Sequence, residues 1–442
     1  MKKILIYLNL VSMLAVAAHA QPLVLSLAEA VTLAEEHAHA AAVSASMVDE
    51  AAARRHQARA GHLPTVSVTQ EVIRTDDAVA AFGTRLRQER FTAQDLDLER
   101  LNRPDALTGV RTVLEVNQPL FTSGSSLYKR RAAHAGEAAS VAMARRTSEE
   151  IRLQAATAYW GLVLAAEARD VAEAALSAAR QHAMDAEVGW QVGTVSRSDR
   201  LATELRVAEL ESDDIDAEAG ILRAADALTL ILGCDTEVVV TTADSLAINV
   251  SPPPLAAGAI RSDLLALGWQ QQAAEHQARV ERAASLPQVG AFARVAADGR
   301  SLFGADGTSW MAGAVLRWDL FSGFAARGSV EAARARVHRS EAEQRWLTAR
   351  IVREIREAER TLAAAAKRVE VADAAVRHAD EQLRIVRAES DQGVSSVSSR
   401  LDAEAAWRGA NLRHLQALYD LRLGEAHLLF ATGSRPAAEP NK

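Results

Sequence analysis

Val192-Gly193-Thr194-Val195-Ser196-Arg197-Ser198-Asp199-Arg200-Leu201 returns as Gln392-Gly393-Val394-Ser395-Ser396-Val397-Ser398-Ser399-Arg400-Leu401. Gly193 to Gly393 and Leu201 to Leu401 are each 200 positions apart. Ile231-Leu232-Gly233 returns as Ala431-Thr432-Gly433, and Leu120-Phe121-Thr122-Ser123-Gly124 as Leu320-Phe321-Ser322-Gly323. Leu63-Pro64 returns as Leu286-Pro287 at a spacing of 223, so the first copy carries about 23 extra residues between these landmarks. One unit is therefore written twice. A duplicated unit places equivalent surfaces around an axis, as the wall of a ring or tube requires.

Outward from those turns, the sequence is mostly helical. No proline interrupts Ser126 to Gln191, a stretch that makes a helix about 100 Å long at 1.5 Å per residue. Such a length fits a coiled coil or helical tube better than a globule. Ile151, Ala155, Ala158, Leu162, Ala165 and Ala166 form its small-residue seam. A second helix, about half as long, is expected from Ser198 to Leu232. Helices from Ala325 to Ser390 and from Ser398 to Phe430 repeat the pair. Ser26 to Ala60 also reads as helix, with Leu27, Ala30, Val31, Ala34 and Ala38 at three- and four-residue steps. It ends at Gly61 and Pro64. Two half-length helices stacked end to end, 26–60 and 198–232, match one long helix and give an even-walled tube.

Strands lie between the helices. Val66 and Val68 alternate with Thr65, Ser67 and Thr69. Val110 to Pro119, Gln288 to Ala296 and Ala312 to Leu320 complete four. Residues 75–106 read as a long loop, 250–254 as a linker, and Thr236 to Val240 as a short extra strand. Four strands cannot close a membrane barrel, for which eight is about the minimum, and open edges are not tolerated in a bilayer. Several chains must pool strands, and three would supply twelve.

The domain organisation follows: a signal peptide over 1–20, a first repeat over 21–250, a second over 251–433 and a disordered tail over 434–442. Lys2 and Lys3, the apolar Ile4 to Ala17 and the small-x-small Ala18-His19-Ala20 mark the leader, with Gln21 as the expected mature start. Cys234 is the only cysteine, and it does not follow the cleavage site, so no lipid anchor on cysteine is expected. Hydrophobic residues make up 49% but aromatics only 4%, which favours close-packed Ala-rich helices. A net charge of −7 argues against a nucleic-acid partner. No phosphate loop, nucleophile motif or metal-ligand spacing stands out, so neither enzyme activity nor a cofactor is expected. The 12 histidines read as solvated helix faces; His37 and His39, two apart, diverge. Trp310, Trp318, Phe292 and Phe321 lie in or beside strands, where an interface girdle would place aromatics.

The set Leu25-Ser26-Leu27-Ala28-Glu29-Ala30, Ala58-Arg59-Ala60-Gly61-His62-Leu63-Pro64, Gln118-Pro119-Leu120-Phe121 and Trp318-Asp319-Leu320-Phe321, in this order and with the two turns, resembles the TolC family of outer-membrane efflux channels. The resemblance covers roughly residues 23–433. It implies a homotrimer in the outer membrane of a Gram-negative bacterium, in contact with lipid. Its twelve-stranded β-barrel continues into a long α-helical barrel that crosses the periplasm. It also implies a passive conduit docked on a periplasmic adaptor and an inner-membrane pump, exporting drugs, metal ions or proteins. By the same resemblance, Val192, Gly193, Thr194 and Val195 with Gly393, Val394, Ser395 and Ser396 are adaptor-docking tips. Asp199, Arg200, Ser399, Arg400 and Asp402 fall at the periplasmic gate, where the family carries acidic rings. Ser399 replaces an expected Asp, and the two arginines make the aperture less acidic. The rival class, a periplasmic coiled-coil adaptor, would show compact β-domains flanking one hairpin, whereas two separated strand pairs and two long hairpins are present.

Overall fold

Two 67-residue helices, α5 (Ser125–Gln191) and α8 (Ala325–Asp391), dominate the computed structural model, which describes residues 23–234, 240–247 and 260–434. Each is followed after a short turn by a 36-residue helix, α6 (Arg197–Leu232) and α9 (Val397–Thr432). The proposed leader, the linker and nearly all of the proposed tail lie outside the described residues, as does most of Thr236 to Val240.

The remaining elements are β1 (Leu23–Leu25), α1 (Leu27–His37), α2 (His39–Arg59), β2 (Thr65–Thr75), α3 (Ala78–Arg87), α4 (Leu98–Asn102) and β3 (Leu107–Phe121), then β4 (Val240–Thr242), α7 (Ser262–Ala284), β5 (Gln288–Gly299) and β6 (Gly307–Arg317). Two compact units contain them. One takes residues up to Ser46, Ala142–Leu264 and those from Trp346 onward; the other takes Met47–Val141 and Leu265–Arg345. Each unit draws on both copies of the repeat.

In the first unit an Ala-rich seam makes the core. Ala30, Ala34 and Ala38 are buried, as are Ile151, Ala155 and Leu162 of the α5 seam, joined by Val163, Leu228 and Leu232. Tyr159 is 0% exposed. Its hydroxyl donates to Asp244 Oδ2 at 2.6 Å and lies 2.9 Å from the Leu25 carbonyl. Burial first, and then the bond to Asp244, push the phenol pKa upward. The same carboxylate accepts from Leu27 N at 3.1 Å, tying the start of α1 to the chain after β4. Tyr159→Phe removes the buried hydroxyl that reaches both the exposed Asp244 carboxylate and the Leu25 carbonyl. It is expected to cost about 1–3 kcal/mol, read as a lower thermal midpoint of the purified protein.

Both 36-residue helices end at a left-handed glycine, Gly233 (φ 66°) and Gly433 (φ 68°). A Cβ on Gly233 would stand 2.3 Å from the His37 carbonyl oxygen, so α6 ends against the break between α1 and α2. Gly433 lies against Arg261, just before α7. The two short helices thus abut the starts of α2 and α7 in the same way. Around the second junction Arg261 binds Glu354 at 2.6 Å, Arg146 binds Glu149 at 2.7 Å, and Ser262 Oγ donates to Glu149 at 2.6 Å. The Arg146 guanidinium also covers the Phe430 ring at 3.6 Å.

Three expectations change. The helix over Ser26 to Ala60 is broken at Ala38, whose ψ of 136° is extended. At that break the Gly233 turn ending α6 packs on the His37 carbonyl and on Ala38, while β1, paired in parallel with β4, holds the start of α1. Residues 75–106 are not a plain loop. Asp77 caps α3 by accepting from Ala80 N at 2.8 Å, and Asp97 caps α4. The second copy's last strand covers Gly307–Arg317 rather than reaching Leu320.

In the second unit the four strands form one sheet in the order β2-β3-β5-β6, antiparallel throughout. Pro119, which lacks an N–H, coincides with a register shift between β3 and β5.

Candidate channel elements: sheet faces and hairpin tips

Alternation gives the sheet two unlike faces. The registers align Val68, Leu114, Val295 and Trp310 in one row and Val66, Val116, Ala293 and Ala312 in the next. Trp310 is 80% exposed, and Val66, Val68, Leu114 and Val295 are also exposed. An apolar surface of this kind suits hydrocarbon, not water. The opposite face carries Ser67, Glu115, Arg294 and Met311 across one row and Glu71, Arg111, Asp298 and Gly307 across another. The strands have 11 to 15 residues, enough to span a bilayer when tilted. Within the chain, β2 and β6 each pair on one side only. Trp318, Phe321 and Phe324, just past β6, are exposed, while Phe292 is half-buried on the polar face.

The α3 segment rests on the polar face, at the end of the sheet away from the helices. Thr84 packs against Gly109, where an added Cβ would meet it at 2.7 Å. Gln88 Nε2 donates to the Gly299 carbonyl at 2.7 Å, and Arg87 lies 3.5 Å from Asp298. A Cβ on Gly307 would stand 2.1 Å from the Arg87 carbonyl oxygen. Phe82 meets Phe91 edge-on at 4.9 Å, and Arg85 pairs with Asp95. The Thr92 backbone N–H, then the Thr92 hydroxyl, hold the Asp95 carboxyl below its usual range.

The two tips belong to the first unit and share one turn geometry. Gly193 has φ 81° and Gly393 φ 74°, conformations that suit glycine, and a Cβ at either would meet open space. Thr194 N donates to the Gly189 carbonyl at 2.8 Å, and Val394 N to the Glu389 carbonyl at 2.9 Å. Ser196 and Ser396 are the N-caps, accepting from Asp199 N at 3.1 Å and Ser399 N at 3.2 Å. Val192 is 70% and Val394 74% exposed. Thr194 and Ser396 are exposed, and Val195 and Ser395 are half-buried.

At the positions expected to form the gate, the Asp199 carboxylate accepts from Ser196 Oγ at 2.8 Å, and Ser399 sits at the equivalent place, 2.8 Å from Ser396 Oγ. Asp402 is exposed. Both arginines turn away into the hairpins. Arg200 reaches Glu187 at 3.0 Å and Glu204 at 2.8 Å and covers the Trp190 ring at 4.7 Å. Arg400 reaches Glu404 at 3.2 Å and, on the other hairpin, Asp185 at 3.9 Å. The pairs Arg200–Glu204 and Arg400–Glu404 are copies of one another, 200 positions apart.

The expectation of solvated histidines fails at His182, which is 3% exposed and packs with its Nδ1 3.6 Å from Glu404. At that distance the contact is electrostatic, not a hydrogen bond. Burial raises the Glu404 pKa, but the imidazole and Arg400 outweigh it, and the net shift is downward. His182, Asp185, Arg400 and Glu404 therefore tie α5 to α9 just inside the tips. No sequence signal pointed to this cluster, because its two halves are more than 200 positions apart.

No described helix is long and apolar enough to cross a membrane. The family model described as outer membrane efflux protein matches residues 30–234 and 256–434. No curated protein matches the chain. Among solved structures, the CmeC outer membrane channel of Campylobacter jejuni superposes with a TM-score of 0.80 at 16% identity, over 92% of this chain and 85% of that one. VceC, an outer membrane protein of Vibrio cholerae, gives 0.74 at 17% identity over 92% and 96%. The open-state MtrE outer membrane channel of Neisseria gonorrhoeae gives 0.75 at 17% over 95% and 94%. At these identities the likeness bears on the fold, which is that of outer-membrane channels. Taken with the repeated strand–helix order and the two-faced sheet, the family match is decisive: this chain belongs to the outer membrane efflux protein family and resides in the outer membrane.

Proposed function

We propose that the chain is one third of a passive exit channel, a homotrimer whose pooled strands form a twelve-stranded barrel. The carrying observation is the open four-stranded sheet, apolar on one face and polar on the other, with β2 and β6 each lacking a partner on one side. An open edge is not stable in lipid, and closure by three chains satisfies it. The polar face then lines a water-filled lumen, and the α3 segment on that face narrows the exterior end. The two helix tips dock on a periplasmic adaptor that connects the channel to an inner-membrane pump. The purified protein in planar bilayers is expected to conduct ions in discrete steps of uniform size. A protein that inserts but never conducts would end this reading.

Asp199 and Asp402 make the cation-attracting part of the periplasmic gate. Arg200 and Arg400 do not cancel them, since each guanidinium is engaged by glutamates of the hairpins. Carboxylates repeated around a narrow axis hold a strong local field. Asp199→Asn with Asp402→Asn is expected to lower cation selectivity and weaken block by trivalent cations. Unchanged selectivity and block in single-channel recordings would reduce both residues to helix-start positions.

A further inference from the structure

A second cluster, in the unit that contains the sheet, has no part in docking or gating. Arg55 and Arg59 of α2, Arg130 and Arg131 of α5, and Trp269 and His276 of α7 line a cavity of about 450 Å³. Arg279 adds a further guanidinium, 5.6 Å from the Tyr128 ring, and Arg131 lies 6.0 Å from the same ring. The His276 imidazole stacks on Tyr128 at 6.3 Å between centroids.

The positive charge here is largely uncompensated. Glu137 pairs with Arg55 at 2.9 Å, and Glu275 accepts from Gln271 at 3.2 Å. Among the described residues, Arg59, Arg130, Arg131 and Arg279 have no carboxylate within salt-bridge reach. Two polar atoms at the cavity are buried without a hydrogen-bond partner, Arg55 Nε and His276 Nδ1. Burial, then Arg279 and Arg131, lower the His276 pKa, so the ring stays neutral and adds no repulsion of its own. Unpaired guanidiniums around buried, unsatisfied nitrogens call for an oxyanion.

Position narrows the identity of that anion. Arg59 lies six residues before β2 begins at Thr65. Arg131 is six residues into α5, about 9 Å along the axis from Ser125 at 1.5 Å per residue. Headgroups occupy roughly 5–8 Å beyond each side of the hydrocarbon core. If the strands span that core, the cluster stands level with the headgroups of the periplasmic leaflet. Trp269 and Tyr128 beside it are the aromatic types that favour this layer.

We propose that this arginine cluster binds the phosphate of an anionic lipid headgroup at the periplasmic face of the outer membrane. The inference rests on the membrane-spanning reading of the sheet. The ligand chemistry is phosphate; the source is lipid rather than a soluble anion passing through the channel.

The test uses the full-length assembled protein in nanodiscs and in non-ionic detergent, probed with phosphatidylglycerol, phosphatidylcholine and inorganic phosphate. Native mass spectrometry is expected to retain phosphatidylglycerol in preference to phosphatidylcholine. Arg130→Gln with Arg131→Gln should weaken that retention by about thirtyfold, on the order of fivefold per guanidinium. Equal retention of the two lipids by the unaltered protein overturns the proposal without any variant. Binding of inorganic phosphate at a strength that displaces phosphatidylglycerol overturns the lipid source. Unaltered lipid retention in the double variant overturns the assignment to these arginines. Conductance of the same samples separates the two readings: a conducting channel without lipid preference removes this site and leaves the channel in place.

Discussion

Tryptophan at Gly193 and Gly393 together is expected to abolish export while the protein still reaches the outer membrane. Both glycines have positive φ and open space around the Cβ position, so the indole meets nothing within its own chain. The left-handed backbone costs an L-residue roughly 1–2 kcal/mol, confined to a turn far from the core. The bulk instead projects from an exposed tip beside Val192 and Val394, where the proposed adaptor would have to approach closely. Gly193→Ala with Gly393→Ala carries the same backbone strain with little bulk, and should keep most export activity. An efflux assay with quantified outer-membrane protein separates the two effects. Wild-type export in the double tryptophan variant would mean that the tips dock nothing.

The second large effect is expected at the cluster joining the hairpins. Arg400→Ala removes the cation that touches Glu404 on its own helix and Asp185 on α5. Leaving one member of a buried ion pair alone costs on the order of 3 kcal/mol. Glu404 is then held only by His182, and α9 loses a tie to α5 just inside the tip. Basal conductance in a planar bilayer should rise several-fold, with the barrel intact. Acid should act in the same direction. The Glu404 pKa is lowered in the folded protein, so its stabilisation is present at neutral pH. It is lost as the medium falls below the ordinary glutamate range and through that lowered value. An Arg400→Ala channel with wild-type conductance would show that these contacts are packing alone.

The turns at 193 and 393 were legible because a duplicated Gly in a long proline-free run leaves few alternatives. The buried seam was legible for the same kind of reason: Ala30, Ala34, Ile151, Ala155 and Leu162 repeat at helical spacing. The strands were legible from alternation, as in Val66 and Val68, although β2 extends to Thr75 beyond the clean pattern. The break at Ala38 was not. It coincides with the packing of Gly233 on the His37 carbonyl, a contact between distant parts of the chain that leaves no periodic trace. The α3 helix hid inside a polar, charged stretch; its signal was the Asp77 cap ahead of Ala78 to Phe82. At the proposed gate, Asp199 and Asp402 were visible as acids near helix starts. Where the arginines turn depends on tertiary partners, and Asp185 and His182 come from the opposite hairpin.

One chain supplies four strands and cannot close a barrel alone. The mass of the detergent-extracted, conducting particle tests it most directly. Measured by light scattering or native mass spectrometry, that particle should contain three chains and no smaller conducting species, since three sets of four strands give a closed twelve-stranded barrel. A stable monomer that inserts into a bilayer and conducts would rule out closure by three chains.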